Sequence, residues 1–187
     1  MIFCAFKEQI KVLVTLKSFE IDMSFKWIQN RHINEIVLAT MLSEQNKIFT
    51  LLRVIVNTET TTMYKDLFLR LFTLVKDVTE QNIIFHHLHD DGLYTVVMDM
   101  DTKQMTGLGL AVNEINPQQR GWKWQLRNLI IFCHIHFFQG IDHTIETSST
   151  SSDLHHHMQS LLTCTSYSDY MKLCRLMIDN ESTNVAN

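Results

Sequence analysis

The chain has 187 residues, 45% hydrophobic and 19% charged, with one Pro and five Gly, which suits one folded domain or a domain with a short appendage and excludes a fibrous or disordered chain. Its formal charge of −4 hides an uneven distribution: residues 1–76 hold ten Lys and Arg against seven Asp and Glu (+3), and residues 77–187 hold six against thirteen (−7). Neither half has the strongly basic footprint of a nucleic-acid-binding domain, so any handling of DNA needs a metal or another segment to meet the phosphates. Cys4, Cys133, Cys164 and Cys174 form no CxxC pair and no disulfide-like framework. With no secretory signal, reduced thiols in the nucleus or cytoplasm are expected. The apolar start at residues 2–6 is cut off by Lys7 and Glu8, and the uncharged apolar stretch 128–141 is too short to span a bilayer. A protein that is neither secreted nor membrane-bound is expected.

Residues 1–17 read as a leader. Residues 18–26 alternate, with Phe19, Ile21, Met23 and Phe25 on one face of a predicted strand and Asp22 in mid-strand on the other. Residues 35–42 and 48–56 predict two more strands around the turn residues 43–47, and short connections between three strands imply an antiparallel meander. Asn57, Thr58, Thr60 and Thr61 offer caps for a helix in which Tyr64, Leu67, Phe68, Leu71, Phe72 and Val75 recur at helical spacing as a core-facing stripe. Residues 81–88 predict a strand or an extended approach. His86, His87 and His89 match no ligand set of known spacing and read as packed or exposed side chains. Asp90-Asp91-Gly92 signals a turn.

The stretch Tyr94-Thr-Val-Val-Met-Asp99-Met-Asp101 organises the rest. A short apolar strand, residues 94–98, ends in Asp99; Asp101 follows, and a helix over residues 102–115 carries Met105, Leu108 and Val112 on one side until Asn116-Pro117 ends it. A carboxylate at the carboxyl end of a buried strand faces the crevice where ligands reach an α/β sheet, and is well placed to hold a divalent metal. Asp is equally a favoured helix N-cap, and both readings stand at this junction. Residues 121–124 lead into the most apolar predicted strand, 129–136, which continues as a helix to about residue 145. Residues 147–152 form a Ser/Thr linker. Asp153 then caps a helix with Leu154, Met158, Leu161 and Leu162 at helical spacing, a last helix covers 168–178, and 181–187 is a polar tail.

The resulting order, β-β-β-α-β-α-β-α with extra C-terminal helices, is that of the ribonuclease-H-like fold, an α/β class built on a mixed sheet. In that fold a mid-sheet carboxylate on the first strand meets one at the end of the fourth. Those positions hold Asp22 and Asp99 here, and such a pair can hold Mg²⁺ or Mn²⁺ to activate a water or 3′-hydroxyl and stabilise the leaving oxygen of a phosphodiester.

Four segments carry a resemblance: Phe19-Glu-Ile-Asp22-Met-Ser-Phe-Lys26; Arg53-Val-Ile-Val-Asn57-Thr-Glu-Thr-Thr61 with Tyr64 and Leu67-Phe68; Met98-Asp99-Met-Asp101 with Gln104 and Gly107-Leu-Gly109; and Phe132-Cys133-His-Ile-His136-Phe137. Over roughly residues 18–180 the chain resembles the catalytic region of Mutator-like DDE transposases, in particular the divergent transposon-derived proteins of basidiomycete fungi. The Cys-x-x-His pair, Cys133 and His136, is the most telling part, because in such transposases it follows the second catalytic Asp on the next strand. The resemblance implies metal-dependent DNA cleavage and strand transfer at transposon ends, with Asp22 and Asp99 as the first two catalytic acids. Asp101 competes with Asp99 and is a further candidate metal ligand, and Lys26 and Lys103 are candidates to meet DNA phosphates. A homo-oligomer is compatible with it.

The family's third acid, a Glu well after the Cys-x-x-His pair, has no match: Glu146 is too close to His136 and Glu181 lies in the polar tail. The sequence therefore predicts a transposase core over residues 18–146 and a helical appendage over 153–180, as a truncated or decayed copy with little activity of its own. Two other readings remain. One is a catalytically inactive remnant serving as a DNA-associated or protein-interaction module. The other is a zinc-binding structural protein using Cys133, His136, His155 to His157 and Cys164, although three consecutive helical histidines cannot share one face.

Overall fold

The computed structural model describes all residues except 25–32, 117, 119, 148–151 and 185–187. Lys26, Pro117, most of the Ser/Thr linker and the end of the polar tail therefore lie outside the described residues. The chain divides into two compact units, Met1–Cys133 and His134–Asn187.

The first unit runs β1 (Ile2–Cys4), α1 (Lys7–Leu13), β2 (Ser18–Ser24), β3 (Asn34–Leu42), β4 (Lys47–Val56), α2 (Thr61–Thr79), α3 (His86–His89), β5 (Thr95–Met98), α4 (Thr102–Ile115), α5 (Trp122–Leu129) and β6 (Ile130–Phe132). The strands form one mixed sheet in the order β1-β4-β3-β2-β5-β6. β2, β3 and β4 pair antiparallel, as do β1 and β4, whereas β5 runs parallel to β2 and β6 parallel to β5. Residues 1–17, expected as a leader, thus supply an edge strand and a helix whose Ile10 and Leu13 are buried in the core.

The meander follows the alternation of its sequence except at one place. Leu38 pairs with Leu52 and Ala39 with Thr50, so Leu51 is an extra residue on β4. This bulge lets the adjacent Leu51 and Leu52 both be fully buried, which strict alternation forbids. The loop into β5 needs Gly92: its φ of +87° suits glycine, and a Cβ there would collide with the Ile84 carbonyl.

α2 starts where Thr60 accepts the Met63 N–H through its side chain at 3.1 Å and stops at Glu80 in the left-handed conformation. Tyr64, Leu67, Phe68, Leu71, Phe72 and Val75, the stripe expected from the sequence, are all buried. Where α2 meets α4, Gly107 allows the backbones to approach: a Cβ on it would collide with Tyr64 Cβ and come to 2.8 Å from the Lys65 backbone nitrogen.

The expected strand at 129–136 is corrected. Residues 122–129 are helical, only Ile130–Phe132 pair with β5, and the next helix begins at His134. An apolar run cannot by itself distinguish a strand from a buried helix end, and here Leu129 closes α5 as a core residue. Residues 81–88, expected as strand or extended chain, contribute only a bridge from Phe85 to Leu93 before the single turn of α3.

The second unit contains α6 (His134–Thr147), α7 (Ser152–Ser160), a 3₁₀ turn (Leu161–Thr163) and α8 (Tyr167–Asn184). Within it α7 contacts both α6 and α8. Among the described residues no helix is long and apolar enough to cross a membrane.

Gly107→Ala should destabilise the fold by about 1–3 kcal/mol, because neither the α2 backbone nor Tyr64 Cβ can move aside without moving a packed helix. Urea unfolding followed by circular dichroism measures it, with a lower midpoint at unchanged slope as the expected result.

Candidate metal site at the ends of β2 and β5

Parallel pairing matches Ser18 with Thr95, Phe19 with Val96, Glu20 with Val97 and Ile21 with Met98. The next residue on each strand is an aspartate, Asp22 on β2 and Asp99 just past β5. Their carboxylates are neighbours, each offering an oxygen within 4.8 Å of the other. Both side chains are half-buried. Asp22 Oδ1 also accepts its neighbour Met23's N–H at 2.8 Å, which orients that carboxylate.

This donor set fits a hard divalent cation. Two oxygens bound to one Mg²⁺ at ~2.1 Å are roughly 3 Å apart when cis and roughly 4.2 Å when trans, so oxygens within 4.8 Å of each other are near the spacing one ion requires. Mg²⁺ usually takes only one or two protein carboxylates and fills its octahedron with water or substrate phosphate. Two aspartates at a strand end meet that requirement.

Asp101 has another occupation. It is the N-cap of α4 and accepts the Lys103 N–H through Oδ1 at 2.8 Å. Lys103 Nζ lies 3.9 Å from Glu59 Oε2, so this candidate phosphate contact is already an ion-pair partner. Lys26 is outside the described residues. Cys133 is buried just past β6, where its N–H donates to the Met98 carbonyl at 2.8 Å and extends the β5–β6 ladder to the level of Asp99. His136 belongs to the first turn of α6 in the second unit.

Glu59, to which the sequence assigned no role, belongs to this acidic end of the sheet. It precedes α2, accepts a hydrogen bond from the Asn34 side-chain amide, and acts with Asp101 and Asp99 on Tyr64. The Tyr64 hydroxyl is held well above the ordinary phenol range, first by burial and then by the Asp101, Glu59 and Asp99 carboxylates, with Gln104 opposing. Tyr64 is therefore a neutral phenol behind a carboxylate-rich surface. Glu59 lacks a local signal because it sits in a Thr-rich cap sequence, forty residues before Asp99.

His86, His87 and His89 make contacts within the first unit and, among the described residues, join no metal-capable group. His86 stacks on Tyr94 with centroids 3.9 Å apart, the His87 Nε2 bonds Gln125 Oε1 at 2.8 Å, and His89 Nδ1 accepts the Phe85 N–H at 3.0 Å. His87 is held below the usual imidazole range by burial first, and also by His89, Arg120 and His86, partly offset by the Gln125 bond. Among the described residues, Cys133, Cys164 and His155 to His157 join no group of three or more metal-capable side chains.

No protein-family model, curated protein or solved structure matches the chain.

Two outcomes follow. Asp101→Ala should cost about 1 kcal/mol in urea unfolding, whereas Asp101→Asn, which keeps a capping oxygen, should stay close to wild type. Because unfolded His87 takes up a proton near its ordinary value of 6.5 while the folded form resists, stability should fall as pH drops through 6.5 and level off below the depressed folded value. His87→Gln should flatten that part of a stability–pH curve measured by thermal unfolding.

Proposed function

We propose that the first unit is a ribonuclease-H-like core of the Mutator-like transposase type, in which Asp22 and Asp99 hold Mg²⁺ or Mn²⁺ for phosphodiester chemistry on DNA. The observation that carries this reading is the Ile21–Met98 pairing, which makes the two aspartates neighbours on adjacent parallel strands. The sheet supports it. Setting aside the edge strand β1, an antiparallel meander is followed by two parallel strands, with the strand bearing the first acid in the middle, and α2 and α4 fill the connections. Asp99 sits just past the carboxyl end of β5 and Asp22 lies beside it within β2, toward the edge where α/β sheets open to ligands.

A bound divalent ion supplies Lewis-acid activation of an attacking oxygen and neutralises charge on the leaving one. The chain's own part is to position it. β2 and β5 fix the two carboxylates, and the hydrogen bond that Asp22 Oδ1 accepts from the Met23 N–H orients the first of them. The α4 cap engages Asp101 with the Lys103 N–H, and the Glu59–Lys103 pair offsets one of the surrounding negative charges. In the second reading, the same fold serves as an inactive remnant that associates with DNA or protein; the overall charge of −4 favours a role that does not depend on tight phosphate contact.

Mn²⁺ calorimetry on the whole chain separates the two readings. The metal-dependent reading expects saturable binding, weakened at least tenfold (about 1.4 kcal/mol) by Asp22→Asn and by Asp99→Asn. Both variants should retain the wild-type circular dichroism spectrum. Absence of binding to folded wild-type protein supports the remnant, and binding that survives both substitutions removes the aspartate pair as the site.

A further inference from the structure

A cavity lies in the first unit, with neither aspartate in its lining. It holds about 110 Å³ and is lined by His87, Leu88, His89, Asn116, Gln118 and Arg120. Among the described residues, no carboxylate lines it. A cavity needs only ~10–15 Å³ on this measure to admit one water, so the space admits several waters or a group the size of a tetrahedral oxyanion.

Its wall contains a buried donor without a partner. Asn116 is 3% exposed, its Oδ1 accepts the Gln118 N–H at 3.0 Å, and its Nδ2 has no hydrogen-bond partner. Leaving such a group unsatisfied costs about 1–3 kcal/mol, which an acceptor in the cavity would recover. The side-chain amide is oriented by its oxygen, which leaves the nitrogen as the group available to a ligand.

The rest of the lining is held in place by contacts that converge on the buried Gln125. The Arg120 guanidinium lies over the Trp124 ring at 4.4 Å, and its carbonyl accepts from Gln125 Nε2 at 3.2 Å. Gln125 is fully buried, and with its nitrogen so engaged its Oε1 accepts from His87 Nε2. The neutral His87 ring then presents Nδ1 as an acceptor, and that atom too is buried without a partner. His89 Nδ1 lies 3.0 Å from the Phe85 nitrogen and 3.1 Å from the Phe85 carbonyl oxygen, contacts that tie the ring to the start of α3. A ligand completing this lining presents acceptor oxygens to Asn116 and Arg120 and can offer a hydroxyl proton to His87. Hydrogen phosphate and its monoesters have that pattern.

The surroundings agree in sign. Between Glu114 and Asp142 the sequence has no acidic residue, while Arg120, Lys123 and Arg127 interleave with Trp122 and Trp124 in an otherwise acidic half. Cations and aromatic rings in this arrangement also suit the backbone and bases of a nucleic-acid strand.

We propose that the cavity formed by His87, His89, Asn116 and Arg120 is a phosphate-binding site, the phosphate being either free or part of a nucleic-acid backbone. It is independent of the aspartate pair and of the transposase reading.

The test is a titration of the whole chain with inorganic phosphate at constant ionic strength, followed by NMR at the Trp124 indole N–H and the His87 ring. The expected result is saturable shifts at both groups. Asn116→Asp, which replaces the free donor by a carboxylate, and Arg120→Gln should each weaken binding by about tenfold or more. Lys47→Gln, at the start of β4 and outside the lining, should leave it unchanged. Circular dichroism establishes that each variant is folded, and Asn116→Ser gives a smaller alternative should the aspartate prevent folding. A single-stranded oligonucleotide added to the phosphate-saturated protein distinguishes the sources: displacement assigns the site to a backbone phosphate, and persistence of the phosphate shifts assigns it to a free phosphate or small phosphomonoester. Lack of saturable shifts in the wild type, or equal affinity in the Asn116 and Arg120 variants, overturns the proposal.

Discussion

The parallel pairing of β2 with β5 is the constraint on which the candidate metal site depends. It begins at the Lys17 carbonyl, which accepts N–H groups from Tyr94 at 2.8 Å and Thr95 at 3.2 Å. Beside it Lys17 Nζ meets Asp91 at 2.9 Å, and Asp91 in turn accepts the Gly92 N–H at 2.7 Å. The exposed ion pair adds little by itself, and the turn it decorates requires Gly92, whose φ of +87° other residues rarely adopt. From that anchor the register runs to Ile21 and Met98, and the aspartates follow. A slip of one residue would displace one carboxylate by ~3.3 Å and turn it to the other face of the sheet.

Behind the sheet end, the contact between α2 and α4 sets the electrostatic environment. The absence of a side chain at Gly107 lets α4 press on Tyr64, and this brings the α4 cap residue Asp101 and the pre-helix residue Glu59 to act on one buried phenol. The same packing buries Gln104 beside that phenol. Core packing and the charge distribution at the site are thus consequences of a single close helix approach.

Much of the first unit was legible because its signals are local. The stripe from Tyr64 to Val75 has helical period, the three strands of the meander alternate between turn residues, and the helix over 102–115 has a capping Asp at one end and Asn116 at the other. Elsewhere local signals were ambiguous or absent. The apolar run at 129–136 satisfies a strand and a helix equally, and only pairing against β5 selected three residues of it. Residues 1–17 are too short to be classified by period, and their place at the sheet edge follows from pairing with β4, fifty residues away.

The sequence by itself determined which residues could do chemistry: an aspartate in mid-strand, another at a strand end, and a third suited to a helix cap. It also determined the α/β class, since the periods of its segments alternate between two and 3.6. Tertiary structure decided which of them meet. The approach of Asp22 to Asp99 depends on a strand pairing across 77 positions, the involvement of Glu59 on helix packing, and the Asn116–Arg120 cavity on a buried hydrogen-bond chain through Gln125. Such long-range contacts have no local periodicity, because they arise from register and burial between segments that are distant in the chain.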